Sequence, residues 1–338
     1  MSRLALIIPV VGSAEGLENT LLSVLERRPE DCEVIVATSA AYDDPYKLQG
    51  EIQILQVPPG AGLVDCVNLA IRSTTAPIIH CLAVGAQATD GWSDRAARHF
   101  ENPCVAAVVP FVHSAENPKR LLSVGVSYLG HGHKQICRNV NACEQIIGPQ
   151  LGAAFYRKSV IDAIGGIPSR VGDALAEVDL AMVLRKAGWQ IELEPACKVL
   201  AQQQVDSCLP AGFRSALWNE RLYWRNFADD GIAGLVKHPF VQLADTVRTK
   251  PWWKLPACAA GRFLGLVEFG YYREAKQATA AAAGALSRAQ SQHSGDQQTA
   301  KEVWAQTEHA VTRIDAAHSS TAAPQKRKSS YQTPGTRR

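Results

Sequence analysis

The chain is short of the features that would assign it quickly. Its nine cysteines include no Cys-x-x-Cys pair and follow no repeating spacing, which excludes a zinc ribbon and a disulfide scaffold and fits reduced, buried thiols in a cytoplasmic protein. No apolar run free of charge reaches about 18 residues, so no spanning helix is expected. Met1-Ser2-Arg3 leads straight into an apolar strand pattern without a small-residue cleavage site, so no leader peptide is expected either. Charge of one sign is not in excess. With 35 basic and 32 acidic residues the net charge is +3, too even for nucleic acid to be a partner on electrostatic grounds. What is present is 46% hydrophobic and 20% charged residues over 338 positions, enough for a large buried core.

Leu4 to Val10 is a continuous apolar run ending at Val11-Gly12, the mark of a strand buried on both faces. Leu17, Leu21, Leu22, Val24 and Leu25 then follow helical spacing. Strands are expected at Val34–Ala37, Ile52–Val57, Pro77–Val84 and Cys104–Val109, with helices after Leu63 and over Trp92–Phe100. Strands alternating with helices imply a doubly wound, mostly parallel α/β sheet, whose ligands sit at the carboxyl ends of the strands. Leu121 to Arg138 reads as a hairpin or an excursion over the sheet edge. Further elements are a strand at Gly152–Tyr156, a short helix at Ile161–Ile164, a helix at Val178–Ala187, and two strands at Trp189–Leu193 and Lys198–Leu200. Helices at Phe213–Phe227 and Leu255–Tyr272 follow. After Ala275 alanine, glutamine, serine and threonine dominate, and a disordered tail is expected there, with one isolated amphipathic helix around Val303, Trp304, Val311 and Ile314. The resulting divisions are 1–205, a helical extension over 206–274, and a tail over 275–338.

Four stretches, in order, resemble the family-2 glycosyltransferases, nucleotide-sugar transferases of GT-A fold. They are Leu6-Ile7-Ile8-Pro9-Val10 with Glu33-Val34-Ile35-Val36; Asn68-Leu69-Ala70-Ile71 leading to Ala76-Pro77-Ile78-Ile79; Gly152-Ala153-Ala154-Phe155-Tyr156 with Ile164-Gly165-Gly166; and Glu177-Val178-Asp179-Leu180, ending Arg185-Lys186-Ala187-Gly188-Trp189. The resemblance implies transfer of a sugar from a nucleotide-sugar donor to a saccharide or lipid-linked acceptor hydroxyl. It places the donor against Pro9, Thr38, Ser39, Asn68, Ala83 and Gly85, and the acceptor side near Gly152 and Asp179.

The departures carry weight of their own. Where the family has an acidic pair after the second strand, this chain has Thr38 and Ser39, whose hydroxyls bind a base or ribose without a carboxylate's charge. Where it has Asp-x-Asp, which holds a divalent ion against the diphosphate, this chain reads Ala83-Val84-Gly85. The downstream metal-ligating histidine is replaced by Ala201-Gln202. No metal cofactor is therefore expected. Glu177 takes the position of the general base, in line with Leu180, Ala181 and Leu184 on a helix, while Asp179 points elsewhere. A first-turn acid complementing the helix dipole explains Glu177 equally well. The alternative to a hexosyltransferase-like enzyme is a catalytically inactive binding or scaffold protein.

Other residues read more simply. His131 and His133 suit a polar hairpin tip better than a metal clamp. Asp90 reads as a helix N-cap, and His80 as a satisfied core histidine. Arg157 and Lys158 could neutralise a diphosphate, although solvated surface charge accounts for them better. Trp252-Trp253, between Lys250 and Lys254, fits a docking contact or a peripheral membrane anchor.

Overall fold

A computed structural model describes residues 2–39, 42, 44, 47–48, 50–129, 133–139, 146–202, 212–226 and 252–320, except for the side chains of 129, 133, 252, 269 and 296–320. The expected apolar run is strand β1 (Leu4–Val10), buried at every position. Its period of two divides the core. Leu4, Leu6, Ile8 and Val10 face helix α1 (Leu17–Arg27) and helix α3 (Trp92–His99). Ala5 and Ile7 face helix α2 (Leu63–Ser73) and helix α5 (Asp173–Lys186). Leu6, Ile7 and Ile8 are fully buried, each worth about 1.5–3 kcal/mol.

On one side β1 pairs in parallel with β2 (Cys32–Thr38), and β2 with β3 (Gln53–Gln56). On the other it pairs in parallel with β4 (Ile78–Cys81). Beyond β5 (Ala86–Ala88), the long β6 (Val105–Ser114) carries β7 (Leu121–Ser123) at its end, and β8 (Val126–Leu129) and β9 (His133–Ile136) form the expected hairpin. Strand β10 (Phe155–Arg157) lies antiparallel between β4 and β6, and β11 (Gln190–Ala201) runs parallel to β6 and antiparallel to β5. The sheet order is β3-β2-β1-β4-β10-β6-β11-β5. The fold is thus α/β with the sheet parallel in its first half and mixed in its second.

Several local expectations change. The two strands expected around Pro195 are one, β11, with a register shift between Glu194 and Lys198; Pro195 lacks the N–H a regular ladder needs. Gly152 lies in a 3-10 turn, Leu151–Ala153, rather than in a strand. The short helix α4 spans Lys158–Ala163. Asp90 does not cap α3, whose N-cap is Gly91; its exposed carboxylate pairs with Arg27 Nε at 2.9 Å.

Helix α6 (Phe213–Asn226) packs on α5 and on α7 (Leu255–Val267). Helix α8 (Phe269–Ser320) replaces the expected disorder up to residue 320; the basic ends of the tail lie outside the described residues. The reason is local. Ala275, Ala282 and Ala285 are small enough to bring α8 against the core, and Trp189 Nε1–H donates to Ala282 O at 2.8 Å. One compact unit accordingly runs over Met1–Ala289, so the helical extension and the start of the tail belong to it, and a second covers Gln290–Arg338. Among the described residues no helix is long and apolar enough to cross a membrane. The described cysteines are all free. Burial pushes the Cys32 and Cys81 thiols up to about 12 and Cys66 to about 11, which leaves them unreactive near neutrality.

Candidate active site

The carboxyl ends of β1, β2 and β4 meet where ligands bind in α/β sheets. Val10 and Thr38 pair at the ends of β1 and β2, and Ser39 N–H donates to Val10 O at 3.3 Å. Thr38 is fully buried and Ser39 half-buried, and Pro9 is buried within β1. The chain then turns through Gly12 (φ +80°) and Gly16 (φ +85°) into α1. Gly16 sits against Gly85: a Cβ on it would lie 3.5 Å from Gly85 Cα. Gly85, at φ +84°, donates its N–H to Thr20 Oγ1 at 2.9 Å. The segment standing where Asp-x-Asp would be is therefore a tight glycine turn tied to the β1–α1 loop, with only backbone to offer a ligand.

That segment is joined to the acid side. Ala83 N–H donates to Gly152 O at 2.8 Å, and the neighbouring Leu151 N–H donates to Glu177 Oε2 at 2.5 Å. Glu177 Oε1 lies 2.9 Å from Lys134 Nζ, an ion pair in which both side chains are nearly inaccessible. Lys134 Nζ also donates to Ala174 O at 3.1 Å. Ala83, Gly152 and Glu177, singled out separately in the sequence, thus form one hydrogen-bonded chain, with Lys134 as an unforeseen member. Beside it, the cavity between Ala86, Gln150, Gly152 and Ala201 holds only about 10 Å³, room for one water and not for a sugar ring.

Asp179 lies on the other face of α5. Its Oδ1 accepts from Asn226 Nδ2 at 2.8 Å and Arg225 Nε at 2.9 Å, locking α6 onto α5. Burial pushes its carboxyl up, and the Arg225 guanidinium and Asn226 amide oppose that rise. Asn68 is committed to packing: its Nδ2 donates to Ile167 O at 2.9 Å and its Oδ1 accepts from Ile167 N–H at 2.8 Å. Arg157 and Lys158 stand at the opposite end of the sheet, since Arg157 pairs with Ile78 at the start of β4. Arg157 donates to the carbonyls of Val105, Phe100 and Asn102, each at 2.8 Å, and Lys158 pairs with Asp162. They are not placed to neutralise a diphosphate at the carboxyl ends. His80 is only half satisfied. Its Nδ1–H donates to Ala154 O at 3.1 Å, its ring stacks on Phe155, and its Nε2 meets no protein partner.

Sequence reasoning missed Asp173 as well as Lys134. Asp173 accepts the N–H groups of Leu63 at 2.8 Å and Val64 at 3.1 Å, capping α2 from the start of α5. The available signal was Gly62, an N-cap position with no side chain to cap. Nothing local pairs Lys134 with an acid 43 positions away.

The divalent ion that the fold class implies does not fit these residues. Ala83, Val84, Gly85, Ala201 and Gln202 supply neither carboxylate nor imidazole. Among the described residues no group of three or more His, Cys, Asp or Glu side chains could hold a metal. His131 lies outside them, and His133 begins β9.

No protein-family profile matches the chain. Two curated relatives, the pre-mycofactocin glycosyltransferases of two Mycobacterium tuberculosis strains, are each 25% identical over 196 residues, covering 57% of this chain and 41% of their own length. The chain therefore spans less than half the length of the curated relatives it matches. A crystal structure of GalNAc-T7 with UDP, GalNAc and Mn2+ aligns with a TM-score of 0.50 at 10% identity, over 68% of this chain and 52% of that one. The mannosyltransferase PcManGT of Pyrobaculum calidifontis, solved with GDP-Man and Mn2+, aligns with a TM-score of 0.46 at 17% identity, over 83% and 86%. The chain has the GT-A fold of nucleotide-sugar transferases.

Proposed function

We propose that the protein transfers a sugar from a nucleotide-sugar donor to an acceptor hydroxyl, without a divalent metal at the Asp-x-Asp position. The observation that carries this reading is the hydrogen-bonded chain from Ala83 through Gly152 and Leu151 to Glu177. It brings the donor-side turn and the candidate base to one place at the carboxyl end of the sheet. The acceptor hydroxyl gives its proton to the Glu177 carboxylate while its oxygen bonds to the anomeric carbon. The bond to the nucleoside diphosphate breaks on the opposite face, inverting that carbon. Negative charge on the departing diphosphate falls toward backbone N–H groups around Gly12 and Gly16 and the amino end of α1. Of the two hydroxyls at the end of β2, the half-buried Ser39 is the one a base or ribose can reach, while the fully buried Thr38 supports the strand end beneath it.

One observation favours the second reading, an inactive binding protein. Both oxygens of Glu177 are already engaged, by Lys134 and by Leu151 N–H, so the acceptor must displace Lys134 from Oε1. Calorimetric titration with UDP, GDP and their sugar conjugates tests the donor site and its metal independence together. Binding of one nucleotide class with equal affinity in manganese and in excess chelator is expected. A tenfold tightening by manganese, about 1.4 kcal/mol, would refute the metal-free site. Absence of binding to every nucleotide would refute the donor site itself.

A further inference from the structure

Helix α7 is built the wrong way round for a helix of a water-soluble surface. The side it turns inward carries small residues: Cys258, Gly261 and Gly265 are buried. The glycines are obligatory, because a Cβ at Gly261 would lie 2.3 Å from Phe213 O and one at Gly265 would lie 2.8 Å from Glu220 Cβ. The large side chains face outward, with Phe263 68% exposed, Val267 49%, Leu266 40% and Leu264 39%. Pro256, Ala257, Ala259 and Ala260 are exposed between them. At 100° per residue these eight positions cover about half the helix circumference without one polar side chain. The single charge in the helix, Arg262, turns back to Glu220 at 3.5 Å. Trp253, in the 3-10 turn that leads into the helix, is 63% exposed as well. A contiguous outward face of this kind marks an interaction site, not ordinary surface.

Charge identifies the occupant. From Thr246 to Val267 the sequence holds Arg248, Lys250, Lys254 and Arg262 and no acidic residue. An apolar half-helix preceded by Trp253 and by Arg248, Lys250 and Lys254, with the acid that follows it, Glu268, paired to Arg221, matches an anionic bilayer surface, with the helix lying in the headgroup boundary. Its 13 residues reach about 20 Å, too short to span the hydrocarbon layer of about 30 Å. We propose that α7 docks the protein onto anionic membrane surfaces, its Phe263, Leu264, Leu266 and Val267 face inserted among the headgroups. This inference is independent of the transferase reading.

Flotation of the full chain with phosphatidylcholine vesicles, plain or with roughly a third phosphatidylglycerol, tests it. The wild type should float with the anionic vesicles at least about tenfold more strongly than with the neutral ones, and high salt should reduce that preference. Phe263→Ser/Leu266→Ser changes only exposed positions. It should keep the melting temperature and lose vesicle binding by about tenfold or more. Failure of the wild type to float, or flotation of the double variant as strong as wild type, would overturn the proposal. So would sedimentation velocity showing a dimer that the double variant converts to monomer, since the face would then be covered by a second copy.

Discussion

The buried ion pair between Lys134 and Glu177 is the part of the site whose energetics can be stated most sharply. At 2.9 Å and an effective dielectric of about 20, the attraction is about 6 kcal/mol before desolvation. Desolvating both ions cancels much of it, but removing one partner leaves the other buried and unpaired, at a cost of about 3–5 kcal/mol. Glu177→Gln keeps an acceptor for Leu151 N–H and leaves the ammonium unpaired; Lys134→Met keeps the aliphatic stem and leaves the carboxylate unpaired. Each single variant should lose about 3 kcal/mol or more in urea unfolding. The double variant should recover to within about 1 kcal/mol of the better single variant, giving a large coupling energy. Additive losses, or single losses below about 1 kcal/mol, would show that the two charges do not meet in the folded protein. The result also sets the control that any activity assay of Glu177→Gln requires, because that variant perturbs stability as well as chemistry.

Two further perturbations follow from the core. Burial holds the His80 imidazole down at about 3, below its unfolded value of about 6.5. Its contribution to stability is therefore complete above about pH 6.5 and is lost as the pH falls, by about 2 kcal/mol at pH 5. Asp179, whose carboxyl is pushed up, acts in the opposite sense, so the comparison must be between wild type and His80→Gln; an unchanged acid slope in the variant would contradict the buried neutral ring. Truncation after Ala275 removes Ala282 and Ala285 and uncovers Trp189, and should cost about 3 kcal/mol. Truncation after Ala289 should cost less than about 1 kcal/mol, and equal melting temperatures for the two truncations would contradict the packing of α8.

How much of this was legible in the sequence depended on what each residue type signals. The continuous apolar run of β1 and the spacing of α1 read correctly because burial on two faces and on one face leave different periods. Strand β10 was expected at Gly152–Tyr156, but its antiparallel direction was not, since three residues between a turn and a helix carry no orientation. The part of α8 beyond Ala275 was taken for disorder because alanine is a weak core signal by composition. Its packing against Trp189 works precisely because Ala282 and Ala285 are small. Arg157 looked like a surface charge, yet three carbonyls hold it. The helical register of α5 correctly separated Glu177 from Asp179, but could not show that the second face is buried too, against α6.

The central claim is tested most directly by turnover. Release of nucleoside diphosphate from a panel of nucleotide sugars and acceptors, measured for wild type and Glu177→Gln and normalised to calorimetric donor occupancy, isolates the base from the fold. The account predicts donor affinity nearly unchanged and turnover reduced about a hundredfold or more in the variant. Equal turnover in the two proteins, or equal inertness across the whole panel while donor still binds, would contradict it.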